Sequence, residues 1–247
     1  MIDLHSHVLP GIDDGPDSLD GAQEILEAAR ADGITHIAAT PHVRDDYPTT
    51  PAQMEEAVAR VRALDSGVEV LTGGELDIAH LETLDDDALR RFGLGGNGSL
   101  LLLEFPYRGW PSQLRDLVFR LGLRGFGVVL AHPERNAEVQ ERPERLHDLV
   151  DAGVAVQLTA AAVDGRLGSR SAATSRTLID AGLAHLIASD AHAPAIRAIG
   201  MTSAAEAVGG SALARWLTHD VPSALLDGRP LPLRPRRRRT MRLPWHR

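Results

Sequence analysis

The chain has 247 residues, 43% of them hydrophobic, enough to bury one full core and an ordinary length for a single α/β barrel. It has no cysteine, which excludes disulfides, thiolate metal sites and any phosphocysteine or acyl-cysteine intermediate; all 26 basic residues are arginine. Against 34 acidic residues the formal charge is −8, which argues against nucleic acid as a partner of the body of the protein.

The first strand is expected at Ile2–Leu4, inside the opening "MIDLHSHVLPGIDDG". In "SLDGAQEILEAARADG", Leu19, Ala22, Ile25, Leu26 and Ala29 recur at helical spacing, with Ser18 as N-cap and Gly33 as the stop. A second strand, Thr35–Ala39, precedes the helical "TPAQMEEAVARVRALDSG", and a third covers Val68–Thr72. "GLGGNG" at Gly93–Gly98 matches a dinucleotide fingerprint, but it follows the helical "DDDALRRF" and precedes a strand. The order is the reverse of what phosphate binding requires, so the stretch reads as a glycine-rich loop. Strands at Leu100–Leu103, Gly127–Leu130, Val154–Leu158 and His185–Ala188 follow, with the helical "SRSAATSRTLIDAGL" before the last. Seven strands alternating with helices and few hairpin signals predict parallel βα units in a closed or nearly closed barrel.

The tail differs. "RPLPLRPRRRRTMRLPWHR" carries seven arginines from Arg234 onward, several prolines and no helical period. One domain is expected over residues 1–228 and a flexible, solvated arginine- and proline-rich extension over 229–247. Without those seven arginines the remainder is at 19 − 34 = −15, so contact of the tail with the acidic body, an anionic partner or a membrane surface is the alternative. No apolar run approaches the ~20 residues of a membrane span, and Met1 leads directly into polar residues. Neither a signal peptide nor a transmembrane helix is expected, and a cytoplasmic setting fits.

Ligand-type residues end the predicted strands: "DLHSH", "AATPH", "TGGE", "LLLEF", "VVLAHPER" and "LIASDAH". In an α/β barrel those ends share one mouth. His5, His7, His42, Glu75, Glu104, His132, Asp190 and His192 should therefore converge there, joined by Asp14 from the first loop. His5 and His7 stand two apart in an extended segment, so both imidazoles face one side and can grip one cation; Asp190 and His192 repeat the spacing. A lone His5 or His132 reads as a hydrogen-bonded core histidine, but Glu104 after four leucines puts a carboxylate where burial demands a partner. Nine ligands exceed the needs of one ion and imply a cluster of two or three divalent cations, with manganese, iron, zinc and magnesium all compatible. Arg135 and Arg197 follow ligand positions, and a guanidinium matches phosphate oxygens. His36, His80, His147, His185, His219 and His246 lie off the pattern.

The order "HSH…DD…PH…GGE…LEF…AHPER…SDAH" resembles the polymerase-and-histidinol-phosphatase (PHP) superfamily, metal-dependent phosphoesterases on a distorted seven-strand (β/α)7 TIM-like barrel. "MIDLHSHVLPGIDDG" is most similar there to the bacterial manganese-dependent protein-tyrosine phosphatases encoded with capsule and exopolysaccharide genes. The likeness runs from Met1 to about Gly228, where "VPSALLDGRPL" looks like the closing helix. It implies His5, His7, Glu75 and Asp190 around one metal, Glu75, Glu104 and His132 around a second, Asp14, His42 and His192 around a third, and Arg135 and Arg197 on the phosphate. It implies manganese as the metal and, as partner, the phosphotyrosines of a bacterial tyrosine kinase that governs polysaccharide assembly. "PHVRDDYP" and "HAPAIRAIG" depart from the group's commonest wording, and those loops shape the substrate mouth.

Attack on phosphorus by a metal-bridging hydroxide follows from that likeness and needs no covalent enzyme intermediate. The alternatives are a histidinol-phosphate or other small phosphomonoester phosphatase, and a non-catalytic, metal-stabilised regulatory module. An amidohydrolase also begins H-x-H, but many of those bridge their metals with a carbamylated lysine and this chain has no lysine.

Overall fold

The computed structural model describes residues 1–193 and 198–235. Among them run β1 (Ile2–Ser6), β2 (His36–Ala39), β3 (His42–Arg44), β4 (Tyr47–Pro48), β5 (Glu69–Leu71), β6 (Glu75–Asp77), β7 (Leu100–Glu104), β8 (Gly127–Leu130), β9 (Ala155–Thr159) and β10 (Leu186–Ala188). All seven expected strands are present. The additions are β3 and β6, which continue β2 and β5 beyond a break, and the two-residue β4, which closes a hairpin on β3.

The breaks have local causes. Pro41 removes a ladder donor between β2 and β3. Between β5 and β6, Gly74 packs so tightly that a Cβ there would lie 2.7 Å from the Phe92 ring. The parallel pairing resumes past both breaks: β2 lies on β5, β3 on β6 with His42 opposite Glu75, and β6 on β7. The order β1-β2-β5 and β10-β9-β8-β7-β6-β3-β4 therefore makes seven staves, two of them broken. β1 meets β10 through a parallel bridge of Ser6 with Ala191, with Asp190 N donating to His5 O at 2.8 Å. The result is a curled, distorted barrel. β1, β7 and β9 are buried along their whole length, as parallel strands covered by helices should be.

Helix α1 (Leu19–Ala31) buries Ala22, Ile25, Leu26 and Ala29, starts at Ser18, whose side chain accepts from Gly21 N, and stops at Gly33 with φ 80°. Helix α2 (Pro51–Arg62) begins with a reciprocal capping box of Thr50 and Gln53. The Gly93–Gly98 stretch is a loop, as its order in the sequence predicts: Gly95 packs where a Cβ would strike Leu226, and Asn97 Nδ2 donates to Leu225 O of the closing helix Val221–Leu226.

The first residues of the arginine-rich extension lie on the body. Trp216 Nε1 donates to Pro232 O at 2.9 Å, and Arg234 donates to Ala184 O and Ile179 O while its guanidinium covers the Trp216 ring. Residues 236–247 lie outside the described set.

Beneath Arg234, the His185 Nδ1 accepts from Val156 N at 3.1 Å. Burial, with the Arg234 charge added, pushes that imidazole down to about 4. An unfolded histidine titrates near 6.5, so between those values the unfolded chain binds a proton that the folded chain refuses. Stability from this site is therefore lost as pH falls from 6.5 towards 4, by as much as ~3 kcal/mol. His185→Asn keeps an acceptor for Val156 N–H without titrating. Urea unfolding at pH 7 and pH 4.5 should show the variant gaining on the wild type at the lower pH; parallel losses in both proteins contradict the assignment.

Candidate metal centre

Every ligand position that the structure describes sits at the same end of the barrel. His5 lies near the end of β1 and His7 just beyond it; His42 and Glu75 begin β3 and β6, directly after the two breaks; Glu104 ends β7. His132 and Asp190 lie two residues past β8 and β10 and adopt left-handed backbone, φ 33° and 52°. Such conformations cost a side-chain-bearing residue about 1–3 kcal/mol and persist where the surroundings over-determine them. Here the turn bends both side chains back across the mouth.

The nine side chains meet. Glu75 is the hub: Oε2 lies 3.4 Å from His5 Nε2, 3.3 Å from His7 Nε2 and 2.9 Å from His42 Nδ1, while Oε1 lies 2.8 Å from His132 Nε2. Asp190 Oδ1 stands 3.5 and 3.4 Å from the same His5 and His7 nitrogens, which are 3.2 Å from each other. Asp14 Oδ1 lies 3.1 Å from His192 Nε2 and 3.4 Å from His42 Nε2. Glu104 approaches His42 at 3.6 Å and His132 at 3.9 Å. All are buried except Asp14, whose side chain is 32% exposed at the solvent edge.

These contacts fit cations better than they fit hydrogen bonds. Ligand atoms bound at ~2.0–2.2 Å on one ion stand roughly 3.0–3.5 Å apart, the spacing found here. Glu75 Oε2 and His42 Nδ1 are 2.9 Å apart, yet neither makes a hydrogen bond in the described structure, as two donors to a shared cation would not. Oxygen and imidazole donors without sulfur suit manganese, iron, zinc or magnesium. Four overlapping groups of ligand atoms can each hold an ion: His7, Asp14, His42 and His192; His5, His7 and Glu75; His5, His132 and Asp190; His42, Glu75 and Glu104.

Burial by itself would lower the imidazole of His42, but the nearby carboxylates of Asp14 and Glu75 outweigh it and hold the ring up at about 9. His7 is likewise held well above its ordinary value, by Asp13 first. Glu75 and Asp190 are held below the usual carboxylate range, burial being outweighed by the His5 charge. Burial and the neighbouring Glu75 carboxylate push Glu104 up. The carboxylates thus favour positive charge among these imidazoles, and a metal cation can supply it in place of protons.

A supporting layer orients the ligands. Asp13 Oδ2 accepts from His7 Nδ1 at 2.7 Å and from His42 N at 3.0 Å, while Oδ1 accepts from Gly15 N. Gln157 Oε1 accepts from His5 Nδ1 at 3.1 Å and from His132 N at 3.2 Å. The bonds to His7 Nδ1 and His5 Nδ1 fix the tautomers that leave each Nε2 free to ligate. Asp13 also supports the turn before Gly15. Gln157 was missed; its signal was one amide in the apolar run "VAVQL".

Arg135 Nη1 donates to Asp190 Oδ2 at 2.7 Å, and its guanidinium covers the Tyr107 ring, which itself stacks on His132. On the opposite side Tyr47 stacks on His42 and lies under Arg44, which reaches Glu104 at 3.5 Å. Arg197, the second arginine expected at the phosphate, lies outside the described residues. The histidines set aside are elsewhere: His36 pairs with Glu69, His80 with Asp45, and His219 with Asp220.

The family model described as capsular polysaccharide synthesis, CpsB/CapC, matches residues 1–226. The chain belongs to the CpsB/CapC family. Tyrosine-protein phosphatase YwqE of Bacillus subtilis is 38% identical over 197 residues, 78% of this chain and 77% of that protein. Tyrosine-protein phosphatase CpsB of Streptococcus pneumoniae is 25% identical over 201 residues, 78% of this chain and 83% of that protein. A solved structure from work on YwqE and CpsB, characterised there as unique metal-dependent tyrosine phosphatases, superposes with a TM-score of 0.86 at 32% identity. It covers 96% of this chain and 100% of its own. The superposition on that structure matches the curled barrel of this CpsB/CapC family member.

Proposed function

We propose that this chain is a metal-dependent protein-tyrosine phosphatase acting on phosphotyrosines of a bacterial tyrosine kinase in capsule or exopolysaccharide assembly. The observation that carries the reading is the convergence of five histidines and four carboxylates on one mouth with an arginine, Arg135, at its edge. The names of YwqE and CpsB support the same activity. His5, His7, Glu75 and Asp190 would hold one cation, Glu75, Glu104 and His132 a second, and Asp14, His42 and His192 a third, with manganese proposed as the native ion. Bound divalent cations supply Lewis-acid polarisation of phosphoryl oxygens and an acidified water.

The protein's own groups do the rest. Arg135, held between Asp190 and Tyr107, presents guanidinium N–H groups to a phosphoryl group at the mouth; Arg197 is proposed to join it. Tyr107, 42% exposed, and Tyr47 flank the opening with their ring faces already covered, and their ring edges supply apolar contact for a phosphotyrosine ring. A chain without cysteine cannot use a thiolate nucleophile. Residues 1–228 form the catalytic domain and 229–247 the arginine-rich tail, which is proposed to reach an anionic partner or membrane surface. No helix among the described residues is long and apolar enough to cross a membrane.

Turnover of p-nitrophenyl phosphate should vanish after exhaustive chelation and return with manganese; activity that survives chelation overturns the proposal. Of a phosphotyrosyl peptide and histidinol phosphate, the peptide should be turned over faster. The reverse order would favour a small phosphomonoester substrate, and tight metal binding without any turnover would favour a regulatory module.

A further inference from the structure

A second concavity opens beside the metal mouth. Its cavity of about 370 Å³ lies between Ile78, just past β6, and the loop that follows β7, with Leu117 of the helix Leu114–Leu123 as its floor. It is mostly apolar: Pro106 and Trp110 form one wall, and Trp110 is braced edge-on against the buried Phe105. Arg108 and Arg120 stand at the rim with a single carboxylate, Glu82, among the lining residues. The rim is therefore cationic, opposite in sign to the protein as a whole.

The concavity and the metal mouth share a wall. Tyr107 stacks on His132 and beneath Arg135, while its chain neighbours Pro106 and Arg108 line the groove. On the other side of the groove, Ile78 N donates to Glu104 O, one residue beyond the strand that begins with Glu75. The wall is held in place from the site itself. Buried Asn136, next to Arg135, donates to both Pro106 O at 2.6 Å and Gly109 O at 2.9 Å, and Ala137 N donates to Tyr107 O. A polypeptide whose phosphotyrosine enters the mouth must leave it over one side, and this side offers an apolar slot with guanidinium groups above it.

Resting on the phosphatase reading, we propose that this groove is a specificity subsite for the substrate polypeptide: it takes an apolar side chain near the phosphotyrosine and, through Arg108 and Arg120, a neighbouring carboxylate. An aryl phosphate without a flanking chain does not reach it.

The test compares p-nitrophenyl phosphate with three phosphotyrosyl peptides that carry, on both sides of the phosphotyrosine, leucine and glutamate, leucine and lysine, or alanine alone. The wild type with manganese should favour the leucine–glutamate peptide over the alanine peptide by about tenfold in kcat/KM. Leu117→Ser should bring that ratio to within about twofold with p-nitrophenyl phosphate turnover unchanged. Arg120→Glu, at an exposed position where refolding is not at issue, should shift the preference about fivefold from the glutamate to the lysine peptide, a gain that no damaged fold produces. A wild type that treats all three peptides alike while hydrolysing p-nitrophenyl phosphate overturns the groove alone. Loss of peptide preference accompanied by a concentration-dependent dimer that Leu117→Ser abolishes assigns the groove to a second copy and overturns it too. Absence of any metal-dependent turnover removes the phosphatase reading, and the groove with it.

Discussion

Glu75→Gln is expected to abolish phosphatase turnover and metal retention while leaving the barrel folded. Among the described residues, Glu75 is the one side chain within 3.5 Å of four imidazoles, those of His5, His7, His42 and His132, which its two oxygens share. Glutamine preserves shape and volume but replaces one anionic oxygen with an N–H donor, which cannot ligate a cation. It also removes the central negative charge around which four rings are gathered. Losing Lewis-acid stabilisation of several kcal/mol lowers the rate by about a thousandfold or more at 1.4 kcal/mol per decade. The measurements are metal content per chain by mass spectrometry, kcat on p-nitrophenyl phosphate, and circular dichroism. A variant that keeps its full metal content and more than about a tenth of the rate would show that Glu75 is not the bridge.

Asp13→Asn should have a smaller but more discriminating effect: metal affinity and kcat/KM are expected to fall about 10- to 100-fold, the usual cost of losing an orienting partner behind a ligand. The carboxylate accepts three N–H groups, from His7 Nδ1, His42 N and Gly15 N. An asparagine has one oxygen. Whichever way the amide turns, its NH2 faces a donor: either Gly15 N, or His7 and His42 N together. Burial tends to raise the Asp13 carboxyl, but the adjacent His7 charge overcomes this and keeps it ionised. The variant should need far more manganese to reach half-maximal rate and should recover part of its activity at saturating metal. The exposed Asp17→Asn serves as a control. An unchanged manganese requirement would reduce Asp13 to turn support before Gly15.

How far the sequence reached depended on how local the determining forces are. Ser18, Gly33 and the stripe Ala22–Ile25–Leu26–Ala29 define α1 through contacts within one or two turns, and they appear in the structure as the pattern dictates. The strand Leu100–Leu103 is apolar on both faces because a parallel strand under helices is buried on both faces. The convergence of ligand-type residues was legible because a carboxylate or imidazole at the end of such a run has no stable place in a core without a partner. Strands β3 and β6 were less visible. Each has three residues, sits past a proline or glycine break, and exists because its neighbour in the sheet supplies the hydrogen bonds. Gln157 was invisible for a related reason: one amide in a strand means little until His5 and His132, 152 and 25 residues away in the chain, are brought to the same oxygen.

The sequence by itself therefore determined the alternation of strands and helices, the placing of ligand-type residues at the strand ends and the exclusion of thiolate chemistry, all consequences of residue type and short-range spacing. Tertiary structure alone decided three things: that Glu75 is the hub, that Asp13 and Gln157 set the ligand tautomers, and that the wall bearing Tyr107 separates the metal mouth from an apolar groove. Those are matters of distance between residues far apart in the chain. Side chains act over a few ångströms, and only the closing of the barrel, β1 against β10 at Ser6 and Ala191, brings these groups within that range.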